Sequence, residues 1–231
     1  MMVARDPRTE LQIRIGVMGS AGGDVDPSVR RVCQALGRSI AEGGCCLLTG
    51  ACAGLPHETV LGAKAHGGHV IGISPAATLK EHVEVYQSPY REYDVVIFSG
   101  MGLMGRELIN IYSSDIIVIV GGRSGTLGEF AIAYEQGKLI GVLSGTGGIT
   151  AALPELEASL AAKHTGAEVV YDDDPSQLIE RLLARYMEGG YVCSCYPEEL
   201  QKSARHDDVP AGLPAVGVGA VGWRGVYTLR G

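Results

Sequence analysis

The sequence predicts an α/β fold, a Rossmann-like doubly wound and mainly parallel sheet with helices on both faces. Three observations carry this. Strand-like and helix-like segments alternate from residue 13 to about 188. The strand segments are unbroken apolar runs, as in Ile116-Ile117-Val118-Ile119-Val120, which suits strands covered on both faces. Glycine-rich turns follow the strands at 19–23, 50–54, 100–105 and 121–125, where ligands bind in such sheets. Right-handed βαβ crossovers then build the doubly wound arrangement.

Residues 14–18 form a first strand, and Gly19-Ser20-Ala21-Gly22-Gly23 ends it. A helix over 27–42 places Val29, Val32, Cys33, Leu36 and Ile40 on one face. Residues 45–49 are a second strand, closed by Gly50-Ala51-Cys52-Ala53-Gly54. The next helix spans about 56–66 and stops at Gly67-Gly68. A third strand occupies 69–73. Residues 75–92 hold two prolines and many polar residues, so they are expected to be irregular and functional. A fourth strand covers 94–98, and Gly100-Met101-Gly102 leads into a helix over about 103–112. The fifth strand, 116–120, opens through the glycine turn into a helix beginning near Phe130. Strands at 139–143 and 167–171 and a helix at 175–186 complete the pattern, with Asp174 as cap and Pro175 at the first helical position. Three segments result: an N-terminal extension (1–12), a nucleotide-binding domain (13–188) and a C-terminal tail (189–231) rich in Gly, Val, Ala and Pro.

The chain has 231 residues, 46% apolar, enough for one α/β domain with a tail. Its net charge of −7 disfavours a general nucleic-acid or anionic-membrane surface. No apolar stretch approaches the ~20 residues of a membrane helix. Residues 1–10 lack the apolar core of a secretory signal. The six cysteines have no framework spacing, so reduced thiols and a cytoplasmic location are expected. Neither nucleic acid nor membrane is an expected partner.

The stretch Gly121-Gly122-Arg123-Ser124-Gly125-Thr126-Leu127-Gly128-Glu129 joins a buried strand to a helix start. Such a turn gathers free N–H groups around one point and favours an anion, commonly a phosphate. Arg123 is set to meet phosphate or solvent, and the Ser124 and Thr126 hydroxyls are phosphate donors or, for Thr126, a helix cap. Arg106 lies near the start of its helix, where a cation opposes the helix dipole; a ligand phosphate or a carboxylate such as Glu107 or Glu129 would compensate. Glu129 has two readings. Thr126-Leu127-Gly128-Glu129 matches a capping box, and a carboxylate there could equally steer water beside a bound ribose. There is no G-x-G-x-x-G in the first loop and no Walker lysine, which favours a nucleotide monophosphate over NAD or ATP. No histidine forms a metal motif, and His57-Glu58 suits a surface. Cys193 and Cys195 with His206 are a weak metal suggestion, and Cys45-Cys46 suit core packing. The nucleophile elbow and RNA-type basic-aromatic interleaving are absent.

These residues resemble the LOG-type family, long mislabelled as lysine decarboxylases, especially its branch with the molybdenum-cofactor carrier proteins. The family signature is P-G-G-x-G-T-x-x-E, with an Arg-Lys pair fifteen residues before its Pro. Residues 121–129 take the place of the signature, and Arg106 takes that of the Arg. Asp115, Gly19-Ser20 and Thr49-Gly50 with Gly54-Leu55 match further family positions, over about 13–188. Gly121 replaces the Pro, Arg123 the second Gly, and Glu107 the Lys after the Arg.

The resemblance implies a Rossmann-like fold, a homodimer or higher homo-oligomer, and a loop that binds a nucleoside 5′-monophosphate. It gives Arg106 and Glu129 catalytic roles in hydrolysing an N-glycosidic bond. The expected site therefore combines Arg106 and Glu129 with Gly19, Ser20, Gly50, Gly54, Gly102, Gly122, Arg123, Ser124, Gly125 and Thr126. Ligand phosphate would meet the N–H groups of 122–126, with Arg106 and Arg123 as countercharges. The expected function is a binding or carrier protein for a phosphorylated nucleotide-like small molecule, a nucleoside monophosphate or a pterin nucleotide such as the molybdenum cofactor. It needs no metal and no other cofactor. The alternative is a cytokinin-activating type of nucleoside-monophosphate phosphoribohydrolase; whether the chain is an enzyme stays open.

Overall fold

A computed structural model describes residues 3–6, 11–22, 26–160 and 165–188. The expected tail and its Cys193, Cys195 and His206 lie outside the described residues.

Seven strands form one sheet: β1 (Arg14–Gly19), β2 (Cys46–Thr49), β3 (His69–Ser74), β4 (Val95–Phe98), β5 (Ile116–Val120), β6 (Leu139–Leu143) and β7 (Glu168–Asp172). They run in the order β4-β3-β2-β1-β5-β6-β7, and every pair is parallel. Among the described residues seven helices connect or follow them: α1 (Pro27–Glu42), α2 (Leu55–Ala65), α3 (Leu79–Glu84), α4 (Gly102–Ser113), α5 (Ser124–Glu135), α6 (Leu153–Leu160) and α7 (Pro175–Met187). A 3₁₀ turn, Gly148–Ala151, precedes α6.

Successive residues of β5 enter opposite cores, as the pleat requires. Ile116, Val118 and Val120 join Leu36 and Ile40 of α1, Val60 of α2 and Leu182 of α7. Ile117 and Ile119 join Ile111 of α4, Phe130 of α5 and Leu153 of α6 on the other face. Both faces being covered explains why the strands carry apolar residues at consecutive positions.

The chain winds outward from β1 to β4, then returns to place β5 on the other side of β1. The carboxyl ends of β1 and β5 thus flank the topological switch point, where a crevice for ligand opens. Register pairs Gly19 with Val120, so the turns after the two strands lie side by side.

Two features differ from the sequence expectation. Residues 75–92 are not wholly irregular: α3 forms there, with the Thr78 hydroxyl accepting from the Glu81 N–H at 3.1 Å. Six residues are too few to show helical periodicity, so propensity alone did not reveal it. The segment is fastened by His82, fully buried between the Ser74 hydroxyl (2.8 Å) and the Pro89 carbonyl (3.0 Å). The helix after β5 starts at Ser124, earlier than its apolar spacing suggested.

Candidate functional site

The glycine turns after β1, β2 and β5 meet at the switch point. The Ser20 hydroxyl accepts the Gly122 N–H at 2.7 Å, and the Ser20 carbonyl accepts the Leu55 N–H at 2.9 Å. Ser20 thereby ties the turn after β1 to both others. Gly54 caps α2 at φ 96°, and a side chain there would overlap the Ser20 carbonyl. Gly19 lies so close to the Val120 carbonyl that a Cβ would overlap it.

This wiring alters the expected phosphate cradle. The Gly122 N–H is spent on Ser20, and the Gly121 N–H donates to the Thr146 hydroxyl at 2.9 Å. The donors left at the turn are those of 123–126, since the Leu127 N–H, bonded to the Arg123 carbonyl at 2.9 Å, closes the first turn of α5. Arg123 is the N-cap residue, and Arg123, Ser124 and Gly125 are exposed. Gly102 opens α4 at φ 69° with open space around its Cβ position, so it does not wall the cavity.

The capping-box reading of Thr126 and Glu129 is corrected. Gly121 and Gly122, at φ 56° and 97°, turn the chain directly into the helix, so the cap falls on Arg123. Thr126 then lies within the first turn, buried with its side chain against Gly122, and α5 has no side-chain cap. Glu129 is freed to point inward.

Arg106 is also displaced from its expected place. α4 begins at Gly102, so Arg106 is a full turn inside it, and the dipole penalty invoked from sequence fades there. The burial is the larger matter: Arg106 is 7% exposed. Its Nη2 donates to Cys52 Sγ at 3.4 Å, while Nε has no hydrogen-bond partner. Among the described residues it makes no ion pair within 4.0 Å, to Glu107, Glu129 or any other carboxylate. Gly50 accommodates the guanidinium, because a Cβ there would overlap Nη1.

Arg106 and Glu129 share one small cavity of about 30 Å³, floored by Gly19, Gly50 and Cys52. That is room for about one water molecule or one anchoring group, not for a nucleotide. Anything larger would extend beyond the cavity. Burial raises the Glu129 carboxyl to about 7; Arg106 opposes the shift and Glu107 adds to it. Such a group carries a proton about half the time at neutral pH.

Three neighbours were not expected as site residues. Cys52 sits in the second glycine turn, and burial pushes its thiol up while Arg106 pulls it back. Glu107, next in sequence to Arg106, is 7% exposed, and burial raises its carboxyl too. His57, expected at a surface, is half-buried with Nδ1 unpartnered, and it stacks on Tyr93 at 6.3 Å. Their adjacency to the glycine turns and to Arg106 was the available signal. Cys33, Cys45 and Cys46 are buried free thiols pushed up to about 12, 12 and 11, which suits inert core packing. No group of three or more metal-ligating side chains occurs among the described residues, and no described helix is long and apolar enough to cross a membrane.

Comparison with known proteins places this geometry. The molybdenum cofactor binding protein of Rippkaea orientalis is 30% identical, covers 77% of this chain and 99% of its own, and superposes with a TM-score of 0.64. The molybdenum cofactor carrier protein of Chlamydomonas reinhardtii is 32% identical over 74% of this chain and 98% of its own, at 0.59. A protein of Archaeoglobus fulgidus of uncharacterised function is 34% identical over 131 residues, 57% of this chain and 80% of its own. DNA processing protein A of Helicobacter pylori, a single-stranded DNA binder, is 19% identical over 75% of this chain and 81% of its own at 0.53, which shows the shared fold alone. The SLOG cluster4 family matches residues 12–179, and the chain belongs to that family.

Proposed function

We propose that this protein binds a phosphorylated, nucleotide-like small molecule, a nucleoside monophosphate or a pterin nucleotide such as the molybdenum cofactor, and serves as its carrier. The observation that carries the reading is Arg106, a buried cation with an unpartnered Nε and, among the described residues, no ion pair, in a cavity between the turns after β1 and β2 at the switch point. A buried charge without a counterion is costly, and a ligand anion supplies one. The likeness to carrier proteins at 30% and 32% identity, over nearly their whole length, supports the carrier role.

The fit is to an anchor rather than an enclosed ligand. The cavity takes one oxygen-bearing group beside Arg106, and the rest of the ligand extends beyond it. The direct test is to denature protein purified from its native host and analyse the released small molecules by mass spectrometry. A phosphorylated pterin or a nucleoside monophosphate in stoichiometric amount is expected. Preparations without either that also fail to take up AMP or a pterin monophosphate would overturn the proposal.

One observation favours a second reading. Glu129 shares the cavity with Arg106 and is held near neutrality, as a group that passes protons must be. On this reading the protein cleaves the N-glycosidic bond of a nucleoside 5′-monophosphate. Wild type would then release free base from AMP or a related monophosphate, and Glu129→Gln would not. The absence of base release from every monophosphate tried leaves the carrier reading alone.

Self-association is part of the proposal. Met101, Met104, Leu108 and Tyr112 form an exposed apolar stripe along α4, with Met104 71% exposed. The only charged residues of α4, Arg106 and Glu107, are buried on its other side. An uncharged stripe of this kind suits a second copy of the chain.

A further inference from the structure

The seam between α1 and α2 holds a groove that the ligand reading leaves unused. A Cβ at Gly37 of α1 would overlap the Thr59 carbonyl of α2, and one at Gly62 of α2 would overlap the Gln34 carbonyl of α1. The two helix backbones therefore run in contact. Beside the contact a groove of about 370 Å³ is left open, against about 30 Å³ at Arg106. That volume is within the range of binding clefts. Arg31 and Arg38 of α1 line the groove, as does His66 at the end of α2, and no carboxylate does. The uncharged part of the lining is largely small or apolar: Ala35, Leu61, Gly62 and Ala65. The chain carries a net charge of −7, so a cationic lining here is not a sample of a generally basic surface.

The fold leaves these cations available. Among the described residues Arg31 makes no ion pair within 4.0 Å. Asp26, whose charge Arg31 feels, is held by the Ser28 N–H at 2.7 Å as the cap of α1. Arg38 pairs with Glu42 at 3.7 Å, but both side chains are at least half exposed, and such a pair is weak. Glu58 of α2 is engaged elsewhere, by Arg30 at 3.0 Å and by Gln34 Nε2 at 2.8 Å. His66 Nδ1 donates to the Gly62 carbonyl at 2.9 Å, which leaves Nε2 for a partner. Arg31 and Arg38 are seven residues apart, two turns along one face of α1 or about 10 Å. Carboxylates seven apart on a second helix have the same spacing. The residues three and four positions after the first share their face and would meet the apolar lining.

We propose that the α1–α2 groove docks an acidic amphipathic helix of a partner protein, with carboxylates at i and i+7 on Arg31 and Arg38 and an apolar side chain at i+3 or i+4 against Ala35, Leu61 and Ala65. Charge complementarity decides the occupant. A nucleic-acid strand would bring more negative charge than two guanidiniums answer, to a chain already at −7, and its backbone gains nothing from the apolar lining. A second copy of the chain does not fit either, because no described helix carries carboxylates seven residues apart. The groove lies on the face of the sheet covered by α1, α2 and α7, opposite α4 and α5. A partner seated there leaves the α4 stripe free. The inference holds whatever anion Arg106 takes, and its test uses none. For a carrier, it supplies a recognition surface away from the cargo.

The test is a titration of the full chain, followed at its backbone amides by NMR. The probe is an alanine-based peptide of about 18 residues, long enough to be helical alone, with two glutamates seven apart and a leucine between them on the same face. Amide shifts should be confined to α1 and α2. Affinity should fall roughly tenfold when glutamines replace both glutamates, and again for wild-type peptide on the Arg31→Gln/Arg38→Gln protein. Both arginines are exposed, so that double variant should melt as wild type does. No shift in α1 and α2 at millimolar peptide overturns the proposal, as does equal binding of a peptide whose glutamates are five apart and off one face. Oligothymidine or inorganic phosphate moving the same amides at least as strongly would give the groove to a nucleic acid or a small anion, and overturn it. A lower oligomeric mass for Arg31→Glu/Arg38→Glu would give it to a second copy, with the same result.

Discussion

Burying a guanidinium that makes no ion pair among the described residues costs free energy, which the Cys52 contact of Arg106 does little to offset. This separates binding from stability. Arg106→Ala should weaken AMP by about 1.5–3 kcal/mol, as loss of a charged hydrogen bond does. Its melting temperature should equal or exceed that of wild type, because an unpaired buried charge is removed. A calorimetric titration and a melting curve check the two halves. Glu129 gives a pH signature of its own. Its folded-state ionisation lies near 7, above the ordinary value of 4.5, so the unfolded chain ionises first as pH rises. The contribution of Glu129 to stability should therefore be greatest below pH 4.5, fall between pH 4.5 and about 7, and level off above. The loss attributable to this group is on the order of 3 kcal/mol. Glu129→Gln should remove that slope, which urea denaturation at pH 5 and pH 8 measures. An unchanged slope would mean that Glu129 titrates normally.

At the scale of elements, two T-x-x-E stretches show how far local pattern carries. Thr78-Leu79-Lys80-Glu81 does cap a helix: Thr78 accepts from Glu81 N–H, and Glu81 accepts from Ala77 N–H at 2.8 Å. Thr126-Leu127-Gly128-Glu129 has the same spacing and caps nothing, because the Gly121–Gly122 turn starts α5 three residues before Thr126 would cap it. A tertiary constraint, the wiring of the turn to Ser20 and Thr146, decides the second case. By contrast α1 and β6 appear over the expected residues, and Asp174 caps α7 through Ser176 and Gln177 as its sequence indicated. Those elements carry their signals within a single segment. Cys52 and Glu107 did not, since their place at the site depends on where Arg106 points. Gly50 was expected at the site from its glycine turn, and the guanidinium packed on it shows what the missing side chain makes room for. Gly50→Ala should push Arg106 aside and weaken AMP binding at least as much as a lost hydrogen bond, with the fold retained by circular dichroism. Unchanged affinity would show that Arg106 does not bind from this position.

On the scale of the whole molecule, the parallel strands put the glycine turns of the site together at the carboxyl end of the sheet. The switch between β1 and β5 was implicit in the alternation of strands and helices, though its location needed the observed order. The exposed stripe of α4 could not be told from a core-facing one by spacing, because both show apolar residues at helical intervals. If that stripe joins two copies, light scattering after size exclusion should give a mass near twice 24.2 kDa or a higher multiple. Met104→Glu, at its most exposed position, should shift the mass toward the monomer. A wild-type monomer would contradict self-association through this face. The central claim, an anion site built on Arg106, is tested most directly by thermal denaturation with AMP, a pterin monophosphate and inorganic phosphate, in wild type and Arg106→Ala. At a hundredfold excess over Kd, wild type should gain about 2.7 kcal/mol with at least one of them. Arg106→Ala should gain far less at the same concentration. No gain with any of the three, or equal gains in both proteins, would contradict the account.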